Sequence, residues 1–144
     1  MFTDEFFMKE ALKEADKALI MNEVPIGAVI VSNNKIIARG HNLSETLNDS
    51  TAHAEMQAFT AASEHIGAKY LNECTLYVTL EPCIMCAGAA YWTQIGKIVY
   101  GAKDFKKGYN TLNTNILHPK TEVISGILEN ECSKIISDFF KTKR

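Results

Sequence analysis

Two short runs rich in β-branched residues, Ile26–Val31 and Lys35–Arg39, flank the pair Asn33-Asn34, and this arrangement constrains the fold more than any other stretch of the chain. Asparagine tolerates the positive φ of a tight two-residue turn, so the segment reads as an antiparallel hairpin. Ahead of it, Met8, Leu12, Ala15 and Leu19 fall on one face of a helix that Pro25 and Gly27 end. A polar loop, Asn42–Thr51, follows the hairpin. Ala52–Ile66 then reads as a helix, with Thr51 as candidate cap and Met56, Phe59, Ala62 and Ile66 on its buried face. Thr75–Leu80 is strand-like, Pro82 suits the first turn of a helix reaching Gln94, and Lys97–Gly101 makes another strand. The segment 103–120 carries no clear period. Glu122–Ser125 fits a last short strand, and Leu128, Cys132, Ile135 and Phe139 mark a closing amphipathic helix. A hairpin followed by strand–helix–strand units implies an α/β fold in three layers, a central mixed sheet of about five strands with helices on both faces.

A chain of 144 residues, 47% of them apolar, fits a single domain over 1–144 that buries a core without disulfide staples. No repeat or Pro/Gly/Ser-rich linker divides it. No apolar run approaches the roughly 18–20 residues that cross a bilayer. The first residues, Met1-Phe2-Thr3-Asp4-Glu5, are acidic where a secretory signal is basic, so a cytoplasmic protein is expected. Cysteines stay reduced there, and Cys74, Cys83, Cys86 and Cys132 are to be read as metal ligands or packing. The net charge of −2 argues against tight nonspecific binding of nucleic acid but leaves room for a local basic patch. Lys97, Lys103, Lys106 and Lys107 share one short stretch, and the chain ends Lys141-Thr142-Lys143-Arg144. Taken singly, each of these cations reads first as an ordinary solvated side chain.

The chemistry lies in His53-Ala54-Glu55 and Pro82-Cys83-Ile84-Met85-Cys86. Alone, an H-x-E triplet arises easily by chance, and a C-x-x-C pair has a thioredoxin-like redox reading as its main competitor. Together, at two expected helix starts, they point to zinc. Cys83 and Cys86 stand three residues apart on a first helical turn, so their sulfurs converge, and the positive end of the helix dipole favours thiolates there. His53 adds an imidazole. Three such ligands leave one position of a tetrahedral zinc open. Cys74 lies roughly 20 Å along the chain at strand spacing, and Cys132 falls on an apolar stripe, so neither fills that position. Water held there would have its pKa lowered to about 7. Glu55, two residues after His53, is then placed to move protons, as hydrolytic deamination requires. A favourable charge in a first helical turn is its other reading.

H-x-E…P-C-x-x-C is the signature of zinc deaminases, and the whole chain resembles the cytidine and deoxycytidylate deaminase superfamily. Within it the likeness is greatest to bacterial tRNA-specific adenosine deaminases. The stretches that carry it are Glu23–Val29, Thr51–Glu55, Leu76–Ala89, Tyr100–Asp104, Gly126–Leu128 with Glu131-Cys132, and Ser137–Phe140. The resemblance implies a cytidine deaminase-like fold and one zinc per chain. It also implies a homodimer, conversion of a wobble adenosine to inosine in a tRNA anticodon stem-loop, and a substrate pocket shaped by Ile26, Asn42, Ala54 and Pro82. From the residues alone, Asn42 can read a polar edge and Ile26 can pack on a ring, or both can be ordinary turn and core residues. Lys103, Lys106 and Lys107 are candidate RNA contacts. The chain departs from the family in Gly108–Asn113, which lacks the usual small residues, and in having no long basic tail after Phe140. Ala90-Tyr91-Trp92 resembles the related guanine deaminases. A deaminase of free guanine, cytosine or a nucleoside is therefore the alternative enzyme, and a noncatalytic zinc module the alternative class.

Overall fold

The structure, a computed structural model, describes residues 1–143; Arg144, one of the terminal cations, lies outside them. Helix α1 spans Asp4–Ile20, and the Oγ1 of its N-cap Thr3 accepts from the Phe6 N–H at 3.1 Å. β1 (Gly27–Ser32) and β2 (Lys35–His41) form the expected antiparallel hairpin, with Asn33 and Asn34 at φ of 51° and 61°. Then come α2 (Ala54–Ile66), β3 (Thr75–Leu80), α3 (Ile84–Thr93), β4 (Lys97–Ala102), a 3-10 turn at Tyr109–Thr111, β5 (Glu122–Ser125) and α4 (Glu129–Lys141). The sheet order is β2-β1-β3-β4-β5. β1 runs antiparallel to both neighbours, whereas β3, β4 and β5 are parallel. No helix among the described residues is long and apolar enough to cross a membrane.

Alternation along the strands sorts the side chains into two cores. Ala28, Ile30, Leu76, Val78, Ile98 and Tyr100 face α2 and α3, while Val29, Val31, Tyr77 and Val99 face α1 and α4. The architecture is the expected three-layer α/β fold.

The helix faces match the expected stripes at Met8, Ala15, Phe59 and Ala62 and differ elsewhere. In α1 the buried residues are Phe7, Met8, Ala11, Glu14, Ala15 and Ala18, while Leu12 is half-buried and Leu19 exposed. In α2 they are Ala54, Glu55, Ala58, Phe59 and Ala62, with Met56 half-buried and Ile66 exposed. Close approach explains both shifts. A Cβ on Gly27 would strike the backbone of Ala11 and Ala15, and one on Gly40 would strike the backbone of Ala54 and Ala58. The helices press so near the strands that only small residues fit the contact line, and larger side chains move to its edges. Glu14 stays buried because Arg39, Lys17 and His41 lie within ion-pair distance of its carboxylate.

Two helix starts are also displaced. The N-cap of α2 is His53, and Thr51 bonds Asp49 through its hydroxyl (2.7 Å) and its N–H (2.9 Å). The N-cap of α3 is Cys83, so Pro82 precedes the helix and does not sit in its first turn.

Candidate active site

His53 and Cys83 each occupy an N-cap, yet neither side chain caps its helix. A capping side chain ordinarily accepts from the exposed N–H groups of the first turn. Here both are turned toward each other. The sulfurs of Cys83 and Cys86 lie 3.5 and 3.6 Å from the His53 Nδ1, and the three ligand atoms fall within 4.8 Å of one another. Zinc bonds of about 2.0–2.3 Å at tetrahedral angles place nitrogen and sulfur donors about 3.5 Å apart. The group is thus able to hold a metal ion, and both its donor types and its spacing fit zinc. Cys74 and Cys132 are buried elsewhere, the latter against Gly101.

The electrostatics fit a metal-binding group as well. The Cys83 thiol is pulled down to about 4, first by the hydrogen bond from Cys86, with burial opposing and His53 assisting. Cys86 is pushed up by donating that bond and by its burial. Of the coupled pair, Cys83 is the thiol that gives up its proton first. His53 is raised by its contact with Cys83. Glu55 is 4% exposed, and burial pushes its carboxyl up to about 7, a range in which it can take a proton and give it back.

Cys86 is buried outside the lining, while His53, Glu55 and Cys83 line the floor of a cleft of about 910 Å³. It opens beyond the carboxyl ends of the parallel strands β3 and β4, where ligands of α/β sheets bind. Val24, Ile26, Asn42 and Ser44 line one wall, and Ile136, Ser137 and Phe140 of α4 another. Lys103, Lys106, Lys107, Lys141 and Lys143 stand around it. Ile26, Asn42 and Ala54 therefore reach the cleft, as do all three lysines proposed to meet RNA. Pro82 does not line it; it is buried, and its carbonyl accepts from the Tyr109 N–H at 2.9 Å. Lys97 begins β4 and is remote from the cleft mouth. Tyr91 and Trp92 are exposed on α3 outside the lining, so the likeness of that stretch to guanine deaminases does not touch the substrate cleft.

Two carboxylates that hold the walls are not evident from the motifs. Glu81 is buried and accepts from the N–H groups of Asp104 (3.1 Å) and Asn110 (3.0 Å), tying the 103–110 segment to the end of β3. An isolated bridge between Cys83 and Gly108 completes the tie. Glu23 accepts from the Glu45 N–H, the Thr46 N–H and the Thr46 hydroxyl at 3.0, 2.6 and 2.6 Å, fixing the 42–51 loop. Their local sequence signal is a proline close behind each acid: Glu81 directly precedes Pro82, and Glu23 stands two residues before Pro25.

The MafB19-like deaminase family profile matches residues 2–144. The tRNA-specific adenosine deaminase of Bacillus subtilis (strain 168) is 50% identical over 149 aligned residues, which take in 100% of this chain and 92% of that protein. The chain belongs to the family of tRNA-specific adenosine deaminases. The deaminase of that name from Aquifex aeolicus (strain VF5) is 44% identical, over 97% of this chain and 95% of its own. A solved structure from studies of A-to-I editing by tRNA deaminases at the wobble position matches with a TM-score of 0.82 and 42% identity, covering 90% of this deaminase and 98% of that chain. A guanine deaminase structure from Bacillus subtilis matches with a TM-score of 0.68 and 41% identity, over 71% of this deaminase and 66% of that chain.

Proposed function

We propose that this deaminase converts the wobble adenosine of a tRNA anticodon to inosine, releasing ammonia. The observation that carries the reading is a buried acid beside a His/Cys/Cys group, at the floor of a cleft ringed by Lys103, Lys106, Lys107, Lys141 and Lys143. A free base needs the floor but has no use for the ring of cations.

His53, Cys83 and Cys86 would hold one zinc ion, which supplies Lewis acidity that brings the pKa of water to about 7. Glu55 does the proton work. Its carboxylate takes one proton from the attacking water and passes it to N1 as the oxygen adds to C6. It then takes the remaining proton from the hydroxyl on C6 and gives it to the amine as the C6–N bond breaks, so adenosine and water become inosine and ammonia. Ile26 packs on the base. The Asn42 side chain is held by donating to the Val24 carbonyl (3.3 Å) and accepting from the Ser44 N–H (3.2 Å), and it presents its remaining polar capacity to the substrate. The adenosine must be splayed out of its loop to reach this floor, and loop nucleotides without Watson–Crick partners make that inexpensive.

The chain, 1–144, acts as one unit and pairs with a second copy; Ile84, Tyr91 and Trp92 leave α3 an exposed apolar side suited to it. Sedimentation at micromolar concentration is expected to show a dimer, and a monomer alone would remove the claim. The cytoplasm is the setting that suits reduced cysteines and a tRNA substrate. The deciding experiment incubates the zinc-loaded enzyme with an anticodon stem-loop bearing a wobble adenosine, beside free guanine and cytidine. Inosine in the RNA is expected. Rapid turnover of guanine with no inosine would overturn the RNA reading and leave a free-base deaminase.

A further inference from the structure

The most exposed ring near the cleft is Phe105, at 85% exposure on its rim. We propose that Phe105 is a stacking platform for the base adjacent to the one being deaminated. The inference rests on the RNA reading above and adds a positioning residue to it. Three observations carry it. The ring stands between two concavities, because Phe105 lines both the cleft and a second hollow of about 460 Å³ bounded by Tyr100, Asn110, Thr111 and Ser125. A strand that places one base in the cleft and continues toward the second hollow carries its neighbour across this ring.

The turn that displays Phe105 is also held firmly. Asp104 donates its N–H to Glu81 at 3.1 Å, its Oδ1 accepts from the N–H groups of Lys106 and Lys107 at 3.1 and 3.0 Å, and its carbonyl accepts from the Gly108 N–H at 3.0 Å. A ring on so fixed a turn loses little freedom when a base stacks on it. Finally, the exposed Lys103, Lys106 and Lys107 surround it. An aromatic face set among cations suits a single strand, whose bases stack while its phosphates are neutralised. Trp92 is comparably bare but does not line the cleft. Stacking uses the π-face that every base has, so the presence of the neighbouring base should matter more than its identity.

The test is a double-mutant cycle on the zinc-loaded enzyme. Phe105→Ala and Phe105→Trp are compared with wild type on an intact anticodon stem-loop and on two abasic versions. One lacks the base 5′ of the wobble adenosine and the other the base 3′ of it, with the sugar-phosphate kept in both. On intact RNA, Phe105→Ala should lower kcat/KM about tenfold and Phe105→Trp should restore it. On one of the abasic RNAs, Phe105→Ala should behave like wild type. No loss on intact RNA, or an equal loss on all three, would overturn the proposal. A Phe105→Ala defect that appears in sedimentation as lost self-association, with RNA turnover intact, would overturn it in favour of a protein contact. Wild type that converts none of the RNAs overturns the substrate reading itself, a result distinct from normal conversion that ignores Phe105.

Discussion

Glu55 and Cys86 both belong to the site, yet they should fail in different ways. Glu55→Ala removes a proton carrier and no metal ligand. It should keep its fold and its zinc while kcat falls by about 10²–10⁴-fold, the usual worth of a positioned acid–base group. Single-turnover rates together with metal analysis check this, and a rate within a few-fold of wild type would assign the protons to another group. Cys86→Ala removes one of three convergent donors, with no spare cysteine close by. Near-stoichiometric zinc in the wild type and little in Cys86→Ala is the expected pair of results; full retention in the variant would sink the ligand set.

The elements hold these residues through contacts that can be broken one at a time. Glu23 is fully buried. Burial alone would push its carboxyl up, but the bonds from Thr46 and Glu45 outweigh it and hold the group below its ordinary 4.5. A carboxyl depressed in the folded state stabilises fully above its unfolded value, and that contribution is lost as pH falls through the folded one. Urea midpoints should therefore favour wild type over Glu23→Gln at neutral pH, with the gap closing below about pH 4. A constant gap would mean that Glu23 acts by shape and not by charge. Gly27→Ala should cost roughly 1–3 kcal/mol or more in the same assay, because its Cβ meets α1 backbone that cannot swing aside. These same contacts explain what the sequence could and could not convey. Asn33-Asn34 announced the hairpin because its conformation is a local property of asparagine. His53, Cys83 and Cys86 were legible because metal chemistry restricts residue type and spacing together. The buried faces of α1 and α2 were legible in part: Met8, Ala15, Phe59 and Ala62 are buried as expected, but Leu12, Leu19, Met56 and Ile66 are not. Gly27 and Gly40 across the contact select alanine over leucine, and those partners lie outside the helix's own pattern. Thr51 does not cap α2 because the helix begins at Ala54 with His53 at its N-cap, and Thr51 belongs instead to the turn that its N–H and hydroxyl make by donating to Asp49. The tie from Glu81 to the 103–110 segment gave no periodic signal because it is built from single side chain–backbone bonds.

At the scale of the whole molecule, a net charge of −2 must be reconciled with a polyanionic substrate. The field of the whole chain offers no general attraction, so binding depends on how the positive side chains are placed. Lys103, Lys106, Lys107, Lys141 and Lys143 come from the end of β4 and the end of α4, distant in sequence, and meet at one cleft. Affinity for the stem-loop should accordingly fall with salt, log affinity declining linearly with log salt at a slope of about −0.7 to −0.9 per phosphate contact. Replacing Lys106 and Lys107 together by Ala removes two contacts, and the slope should become shallower by about 1.4–1.8 with zinc content unchanged. Filter binding at several salt concentrations measures both slopes. An unchanged slope would place the phosphates on other cations, and no salt dependence in either protein would mean the lysine ring serves no polyanion, removing the main support for an RNA substrate.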